Sequence, residues 1–402
     1  MPLSRRHFCS AVTALAASGL LGPETVRAQD LHTAGPTSRP DVAAIDHDRI
    51  LAAADQYLTL PPDPLTAHPA PHSAGTPHDL VSDLEDPPTS APTAPSPPTA
   101  FTAHRDALLQ FTLAVPALTA ASLLAHASDP THASACAEAA VRHLQAWFVT
   151  PATRMEPSLN FAASGPATGG HPEGIAETSS LAEVAVAIPF LLRSEALSPE
   201  ASAALKAWFA DFLKWLTTSR LAALARDRKD HVASSWLLQC AAFARLTADD
   251  PTLTDLRHHF KTVTLRAEIL GDGSFPHELS TPHPYRNSLF NLDLLAGACD
   301  LLSTRFETLW NYQLQDGPGL RVALARHVPY IENRGSWPYR ADARLFSDLP
   351  CRRPALLLAA RAYGRPEYAT LWRSLNPDPK DPAILRSFPI RQPILWVTRP
   401  GP

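Results

Sequence analysis

Residues 230–260 read DHVASSWLLQCAAFARLTADDPTLTDLRHHF, and this stretch predicts two helices in close succession. Apolar residues in its first half recur at helical spacing, which marks one face as buried; they are Trp236, Leu237, Cys240, Phe243 and Ala244. Asp250-Pro251-Thr252 then predicts the start of the second helix, because an acidic cap followed by proline suits a first helical turn. Two helices joined by so short a turn form a hairpin.

Similar helical stretches follow one another from about residue 103 to residue 363, separated by turns that contain proline or glycine. A further helix is predicted at residues 41–60, and Ser198-Pro199-Glu200 has the residue types of a helix start. No run of alternating strand residues stands out. The series predicts an all-α fold, either an α-solenoid or an α/α toroid, which is an incomplete (α/α) barrel of helical hairpins. Because the sequence has no fixed-period repeat, we favour the toroid.

Residues 1–28 predict an export signal. Ser4-Arg5-Arg6-His7-Phe8 resembles the twin-arginine type, an apolar run from Ala11 to Leu21 follows, and Val26-Arg27-Ala28 supplies a cleavage region. The apolar run is too short to span a bilayer, and no other segment is predicted to cross one. We therefore expect a periplasmic or secreted protein with no membrane association after the signal is removed.

Residues 29–102 are expected to hold the first helix and a proline-rich arm, and residues 103–402 the toroid. The arm reads PPDPLTAHPAPHSAGTPHDLVSDLEDPPTSAPTAPSPPTA at residues 61–100. Its prolines remove backbone donors and prevent helix formation. We expect the arm to be extended and largely irregular, either as a linker or as a long loop across a domain face.

The formal net charge of −4 gives no reason to expect nucleic-acid binding. Outside the signal, the cysteines are far apart and form no CxxC pair, so the sequence indicates no zinc site. We expect buried free thiols, and one disulfide stays open as an alternative; the residues are Cys136, Cys240, Cys299 and Cys351. We also expect no metal or other cofactor, and a monomer.

Titratable residues cluster directly before two of the predicted helices. At the first junction, Asp230 and His231 precede the helix quoted above. Each has an ordinary interpretation: a histidine near a helix start needs no special role, and a carboxylate there is favoured by the helix dipole.

The second junction lies in GDGSFPHELSTPHPYRNSLFNLDLL, residues 271–295, where Glu278, Tyr285 and Arg286 precede an apolar helix. That helix is predicted to begin near Ser288, with Asn287 as its N-cap, and a capping role alone would explain Asn287. Spacing by itself therefore does not separate a catalytic cluster from a helix entrance.

Several stretches occur in an order that resembles the alginate lyase superfamily, and they extend over about residues 40–370. They are PATRMEPSLNFA, LSPEASAALKAWFADFLKWL, DHVASSWLLQCAAFARLTADD, DGSFPHEL, PYRNSLFNLD and WPY. The chain is most similar to the group of glucuronan- and alginate-type polysaccharide lyases. This resemblance implies an α/α toroid that cleaves a uronic-acid-containing polysaccharide by β-elimination, so the expected partner is an acidic polysaccharide or oligosaccharide.

The reaction, β-elimination, requires particular groups in the site. The C5 proton of a uronic acid is weakly acidic because the neighbouring carboxylate resists formation of an enolate. A site must neutralise that carboxylate, accept the proton and protonate the departing glycosidic oxygen. The resemblance implies an Asn-His pair and an arginine around the carboxylate, with a tyrosine as base and acid.

The family's histidine corresponds to His231 in this chain. The positions of the family's asparagine, arginine and tyrosine hold other residues. Asp230 stands at the asparagine, Thr281 at the arginine and Asn287 at the tyrosine. An ionised Asp230 would repel the substrate carboxylate unless it were protonated or paired. Asparagine cannot transfer a proton.

We therefore hypothesise a rearranged lyase site in which His231, Tyr285 and Arg286 are catalytic. Tyr285 would serve as base in a re-registered loop, and Arg286 would take over neutralisation. A loop at residues 159–178 lines the groove in the superfamily and adds further candidates. The predicted substrate-binding residues are Asp230, Asn287, Glu278, Asn160, Glu177 and His171.

Two other functions remain open. The same toroid could carry a glycoside hydrolase in which Asp230 and Glu278 form the acid/base pair, provided that their separation suits that reaction. It could also be a carbohydrate-binding protein without activity, since a fold alone does not fix function. The lyase is the preferred interpretation.

Overall fold

Nearly all regular structure in the computed structural model is helical, over the described residues 40–71, 74–83, 101–164 and 169–398. The α-helices are α1 (Val42–Leu58), α2 (Ala103–Ala125), α3 (Pro130–Leu144), α4 (Gly174–Glu177), α5 (Leu181–Leu191), α6 (Pro199–Thr218), α7 (Arg220–Arg226), α8 (His231–Thr247), α9 (Asp250–His259), α10 (Leu265–Glu268), α11 (Pro276–Leu279), α12 (Pro284–Leu302), α13 (Leu320–Glu332), α14 (Pro354–Tyr363), α15 (Pro366–Ser374), α16 (Pro382–Arg386) and α17 (Pro393–Val397). Two short strands, β1 (Val81–Asp83) and β2 (Phe161–Ser164), pair in parallel. The predicted export signal lies outside the described residues.

Five helices, α2, α5, α8, α12 and α14, form an inner series in which each packs against the next. Most of them have an outer partner: α3 packs on α2, α9 on α8, α13 on α12 and α15 on α14, while α6 packs against α8. At the end of the chain, α17 contacts α14 on one side and α2 and α5 on the other. The C-terminal segment therefore joins the last inner helix to the first ones, and the predicted α/α toroid is confirmed.

The composition of each helix explains its place in this ring. Every residue of α5 except Pro189 is buried, as expected for a helix that is apolar all round. The outer helix α6 buries only one face, which includes Leu205, Phe209 and Phe212. Apolar sequence on all sides therefore selects the inner positions.

Two stretches, Ala103–Ala125 and Gly174–Leu191, are long and apolar enough to span a membrane, so the prediction that no such segment exists was wrong. In both, 78% of the apolar window is buried inside the folded chain. Their apolar character is accounted for by burial in the inner ring.

Two predicted helix starts are shifted in the structure. The side chain of Asp249, rather than Asp250, caps α9 by accepting a hydrogen bond from Thr252 N at 3.1 Å. Helix α12 begins at Pro284 instead of near Ser288. Proline is well tolerated in a first turn because its missing N–H would be unpaired there in any case.

Part of the proline-rich arm packs on the helical body. Its described residues are mainly irregular, as predicted, but Leu65 and Leu80 are each only 1% exposed. Strand β1 then holds the arm against β2. Residues 84–100 of the arm lie outside the described part of the chain. Cys136, like the other cysteines described, is a buried free thiol, as predicted.

Aromatic rings fill the space between α6, α8 and the turn that follows α3. Phe209 lies 4.9 Å from Phe243 and 5.3 Å from Phe148, measured between ring centroids, and its side chain is fully buried. Edge-to-face contacts of this kind add to the free energy gained by burial. The cluster fixes the position of α8, the helix that carries His231 at its first residue.

We predict that Phe209→Ala lowers the free energy of unfolding by about 3–5 kcal/mol, because a buried phenyl ring is replaced by a cavity. Leu224→Ala is the control, since Leu224 is 51% exposed and its loss should change stability by at most about 0.5 kcal/mol. Chemical denaturation measures both. Equal effects of the two substitutions would contradict the packing described here.

Candidate functional site

Side-chain contacts connect the N-terminal ends of the inner helices α2 and α8 with the short helices α4 and α11, which precede the inner helices α5 and α12. They are Arg105 with Glu177 (α2 to α4), Arg228 with Glu173 (the turns before α8 and α4) and His231 with Glu278 (α8 to α11). Helix N-termini carry a partial positive charge and unpaired N–H groups. This end of the toroid is therefore a suitable place for an anionic ligand.

His231 is held by the carboxylate of Glu278. Its backbone N–H donates to Glu278 Oε1 at 2.5 Å, and its Nδ1 lies 3.0 Å from Oε2 and 3.1 Å from Oε1. Glu278 is completely buried, whereas the His231 side chain is 20% exposed. With Nδ1 donating to the carboxylate, Nε2 of His231 is left without a partner among the described residues.

The charge of His231 follows from the same contact. Burial by itself would lower the pKa of the imidazole, but the carboxylates of Glu278 and Asp230 outweigh that effect, and the pKa is raised above its ordinary value of 6.5. The contact therefore favours the protonated, cationic imidazole more than in a free histidine. A cation with a free N–H is able to bind a carboxylate.

Asp230 does not confront a ligand as an unpaired negative charge. Its Oδ1 accepts a hydrogen bond from Val232 N at 3.1 Å and caps α8. Its Oδ2 accepts two bonds from Arg228, at 2.6 Å from Nη2 and 3.1 Å from Nε. Arg228 also donates to Glu173 at 2.9 Å. The pairing that the sequence analysis required of Asp230 is thus present.

Helix α12 brings two more predicted residues to the same region. The ring of Phe290 lies 5.5 Å from the ring of His231, measured between centroids. Arg286 and Asn287 precede Phe290 by four and three residues, which places them on the same face of α12. Arg286 is partly exposed, and its guanidinium makes no hydrogen bond within the described part of the chain.

Thr281 and Asn287, the two positions where the resemblance implied arginine and tyrosine, bind each other. Asn287 Nδ2 donates to Thr281 Oγ1 at 3.1 Å, and Asn287 is only 8% exposed. Thr281 Oγ1 in turn donates to the carbonyl of Glu278 at 2.8 Å. The two substituted side chains therefore stabilise the loop that carries Glu278.

Tyr285 is directed away from His231 into the core, so its predicted role as base does not fit the structure. Its hydroxyl donates to the carbonyl of Tyr330 at 2.9 Å, and the residue is 0% exposed. Its ring contacts Trp337 and Phe346 edge to face. Burial raises the pKa of Tyr285 far above its ordinary value of 10, so the phenol is held neutral.

Of the described residues in the loop 159–178, Glu173 reaches this region by pairing with Arg228, a contact that was not predicted. Glu177 is occupied elsewhere: it pairs with Arg105 at 2.8 Å and accepts from Ser82 Oγ at 2.5 Å.

The other two residues predicted in this loop make contacts outside the His231 region. Asn160 is exposed and accepts from Trp215 Nε1 at 3.1 Å. His171 donates its backbone N–H to Ala162 O at 2.9 Å.

A buried carboxyl group lies one turn below His231 along α8. Glu268 accepts from Ser234 Oγ at 2.6 Å and from Asn291 Nδ2 at 3.0 Å. Burial raises the pKa of Glu268 to about 8, against the lowering effect of these two bonds. The group is neutral near neutral pH, which limits the number of negative charges next to Glu278.

Sequence reasoning identified His231, Asp230 and Glu278 but did not assign Arg228, Glu173 or Glu268. The signal for Arg228 was its place two residues before Asp230. Glu268 gave none, because a lone glutamate at the end of a short helix looks exposed. Among the residues described, no group of three or more His, Cys, Asp or Glu is arranged to hold a metal ion.

The sequence pattern of the alginate lyase family matches residues 64–337. An alginate lyase from Bacteroides ovatus has a similar structure, with a TM-score of 0.72 and 22% identity over 88% of this chain and 93% of that one. Alginate lyase A1-III from Sphingomonas species A1 gives a TM-score of 0.45 and 13% identity over 82% of this chain and 88% of that one. The search of curated proteins found no significant match. The similarity to the Bacteroides ovatus structure shows that this chain has the same fold.

We predict that Glu268→Gln changes the pH dependence of stability. A carboxyl whose pKa rises from 4.5 when unfolded to about 8 when folded binds more protons in the folded state. Stability of the natural protein should therefore fall as pH rises from about 4.5 to about 8. Glutamine can still accept from Ser234, and it can donate to Asn291 Oδ1, which has no partner in the described structure.

The free energy of unfolding at about pH 5 and about pH 9 tests this. The variant should gain stability relative to the natural protein at the higher pH. Glu332→Gln, at an exposed position on α13, should show no such gain. A pH-independent difference for Glu268→Gln would contradict the raised pKa.

Proposed function

Because this chain belongs to the alginate lyase family of polysaccharide lyases, we propose that it cleaves an acidic, uronate-containing polysaccharide of the alginate or glucuronan type by β-elimination. The substrate lies across the end of the toroid where the inner helices begin. Its uronate carboxylate meets His231, and the C4–O bond of the same sugar is broken.

The observation that supports this most directly is the His231–Glu278 pair. A buried carboxylate fixes the imidazole through Nδ1 and raises its pKa. Nε2 then donates to the substrate carboxylate and withdraws negative charge from it. Withdrawal of that charge makes the C5 proton more acidic and stabilises the enolate that forms when a base takes the proton. The C4–C5 double bond then forms as the C4–O bond breaks, and the departing oxygen takes up a proton.

Arg286 is the second group proposed at the substrate. It lies on the face of α12 that reaches His231 through Phe290, and its guanidinium is partly exposed. A planar guanidinium can bind a carboxylate through two hydrogen bonds. In this role Arg286 supplies the positive charge that Thr281 cannot.

The geometry does not favour a glycoside hydrolase. That reaction needs two carboxyl groups that flank the glycosidic bond. Glu278 is 0% exposed and Asp230 is 7% exposed, and both are bound by the protein's own donors. Neither is placed as an accessible acid or base.

The twin-arginine-like sequence at residues 4–8 supports export to the periplasm or the medium. We propose this localisation together with the activity.

We predict that His231→Ala lowers kcat/KM on alginate or glucuronan by about a hundredfold or more, because one group that stabilises the transition state is lost. The ultraviolet absorbance of the new C4–C5 double bond measures the rate. His258→Ala, an exposed histidine on α9, is the matched control and should keep full activity. Unchanged rates in His231→Ala would remove this residue from the mechanism.

The same assay separates the three functions. Rising absorbance supports a lyase, whereas new reducing ends without absorbance would indicate a hydrolase. Binding without either signal would indicate a carbohydrate-binding protein.

We predict that Tyr285→Phe keeps kcat/KM near that of the natural protein, because the hydroxyl bonds to Tyr330 O in the core. It should lower the free energy of unfolding by about 1–3 kcal/mol, since the buried carbonyl loses its donor. Activity at a temperature where both proteins are folded is compared with chemical denaturation. A large loss of activity without loss of stability would restore Tyr285 as a catalytic residue.

A further inference from the structure

A cavity of about 310 Å³ lies where the ring closes, between α1, α2, α15 and the C-terminal segment. Its lining includes the cationic side chains of Arg49, Arg352, Lys380 and Arg391, and the amide of Gln392. Of the described residues assigned above to the His231 region, none lines this cavity. It is therefore a second concave site with its own chemistry.

Positive charge in the cavity exceeds the negative charge that faces it. Arg49 and Arg352 both pair with the buried Asp46, at 3.2 Å and 2.6 Å, and Arg49 also pairs with Asp378 at 2.9 Å. Lys380 stands beside Asp378 in the lining and is exposed. The carboxylates of Asp46 and Asp378 are therefore shared among three cations, and Arg391 adds a fourth positive charge.

The guanidinium of Arg391 is held by neutral groups. It donates to Thr112 O at 3.1 Å, to Thr112 Oγ1 at 3.0 Å and to Leu385 O at 3.0 Å. The carboxylate of Glu183 lies behind it but accepts from the backbone N–H groups of Arg391 and Gln392. Arg391 therefore brings a charge to the cavity that no direct side-chain ion pair offsets within the described structure.

Several polar atoms of the lining lack a hydrogen-bond partner in the described part of the chain. They are Nε of Arg49, Arg352 and Arg391, and Oε1 of Gln392, which is only 6% exposed. A buried polar group without a partner costs about 1–3 kcal/mol. A ligand with anionic oxygens and a hydroxyl donor would satisfy both kinds of atom.

Most of the remaining lining residues are apolar. Leu113 and Ala117 of α2 form one side, and Phe388 and Ile390 form another. A hexose ring carries hydroxyl groups at its edge and C–H groups on its faces, so it suits a cavity with polar and apolar walls. The volume is at the lower end of the range for small-molecule sites, about 300–1,000 Å³.

We propose that this cavity is a second, non-catalytic binding site for a small sugar acid, a uronate monosaccharide or disaccharide. Its carboxylate faces Arg391 and Lys380, and a hydroxyl donates to Gln392 Oε1. The choice of a uronate as the ligand depends on the proposed function. The charge, the size and the lining of the site are properties of the cavity itself.

Isothermal titration calorimetry with the full chain and sodium glucuronate tests the proposal, with glucose as the neutral analogue and inorganic phosphate as a simple anion. We expect glucuronate to bind and glucose and phosphate to bind at least about tenfold more weakly. Absence of glucuronate binding, or equal binding of phosphate, would overturn the proposal.

Variants locate the site and separate it from the lyase reaction. Arg391→Gln should weaken glucuronate binding about tenfold or more, because a charge-assisted hydrogen bond is lost. Lys380→Glu, at an exposed position, should also weaken it and serves if Arg391→Gln does not fold. Lys214→Ala, an exposed lysine on α6, is the control and should bind as the natural protein does.

His231→Ala should keep glucuronate binding while it loses lyase activity. If Arg391→Gln and Lys380→Glu both bind as the natural protein does, or if His231→Ala abolishes binding, the cavity is not the binding site. This test measures binding and does not depend on lyase activity. If the chain proves not to be a lyase, the test of the cavity is still valid.

Discussion

A fully buried carboxylate, that of Glu278, is the constraint around which this end of the molecule is organised. An isolated buried charge is costly unless it is paired and hydrogen-bonded. His231 supplies both a backbone N–H and an imidazole nitrogen. Because the pair is completed from α8 on one side and α11 on the other, two segments 47 residues apart are held together. The imidazole is consequently oriented, partly exposed and more basic than usual.

The toroid makes that pairing possible. Inner helices that run side by side begin at the same end, so the residues before each of them meet there. Arg228 uses this proximity to neutralise Asp230 and to bind Glu173 at the same time. Glu268 remains protonated below its pKa of about 8. Pairing and protonation together limit the net negative charge at an end of the molecule that is rich in carboxyl groups.

Two altered positions of the family pattern, and the neighbouring Tyr285, have structural roles. Asn287 and Thr281 form a hydrogen bond that supports the Glu278 loop, and Tyr285 packs among aromatic rings. The proton-handling chemistry of a tyrosine is therefore not supplied from these three positions. In the proposed reaction, neutralisation therefore falls to His231, which contacts Phe290, and to Arg286 on the same face of α12.

The sequence by itself determined most of the helices and the all-α class, because helical periodicity and caps are local. It also placed Asp230, His231 and Glu278 at helix entrances. It could not decide which way Tyr285 points, since a one-residue change of register on a helix turns a side chain by about 100°. Only the tertiary structure paired Arg228 with Asp230 and Glu173 and joined the last helix to the first. Those contacts link residues that are distant in the chain. Their energies depend on how deeply the residues are buried, which a local sequence pattern does not show.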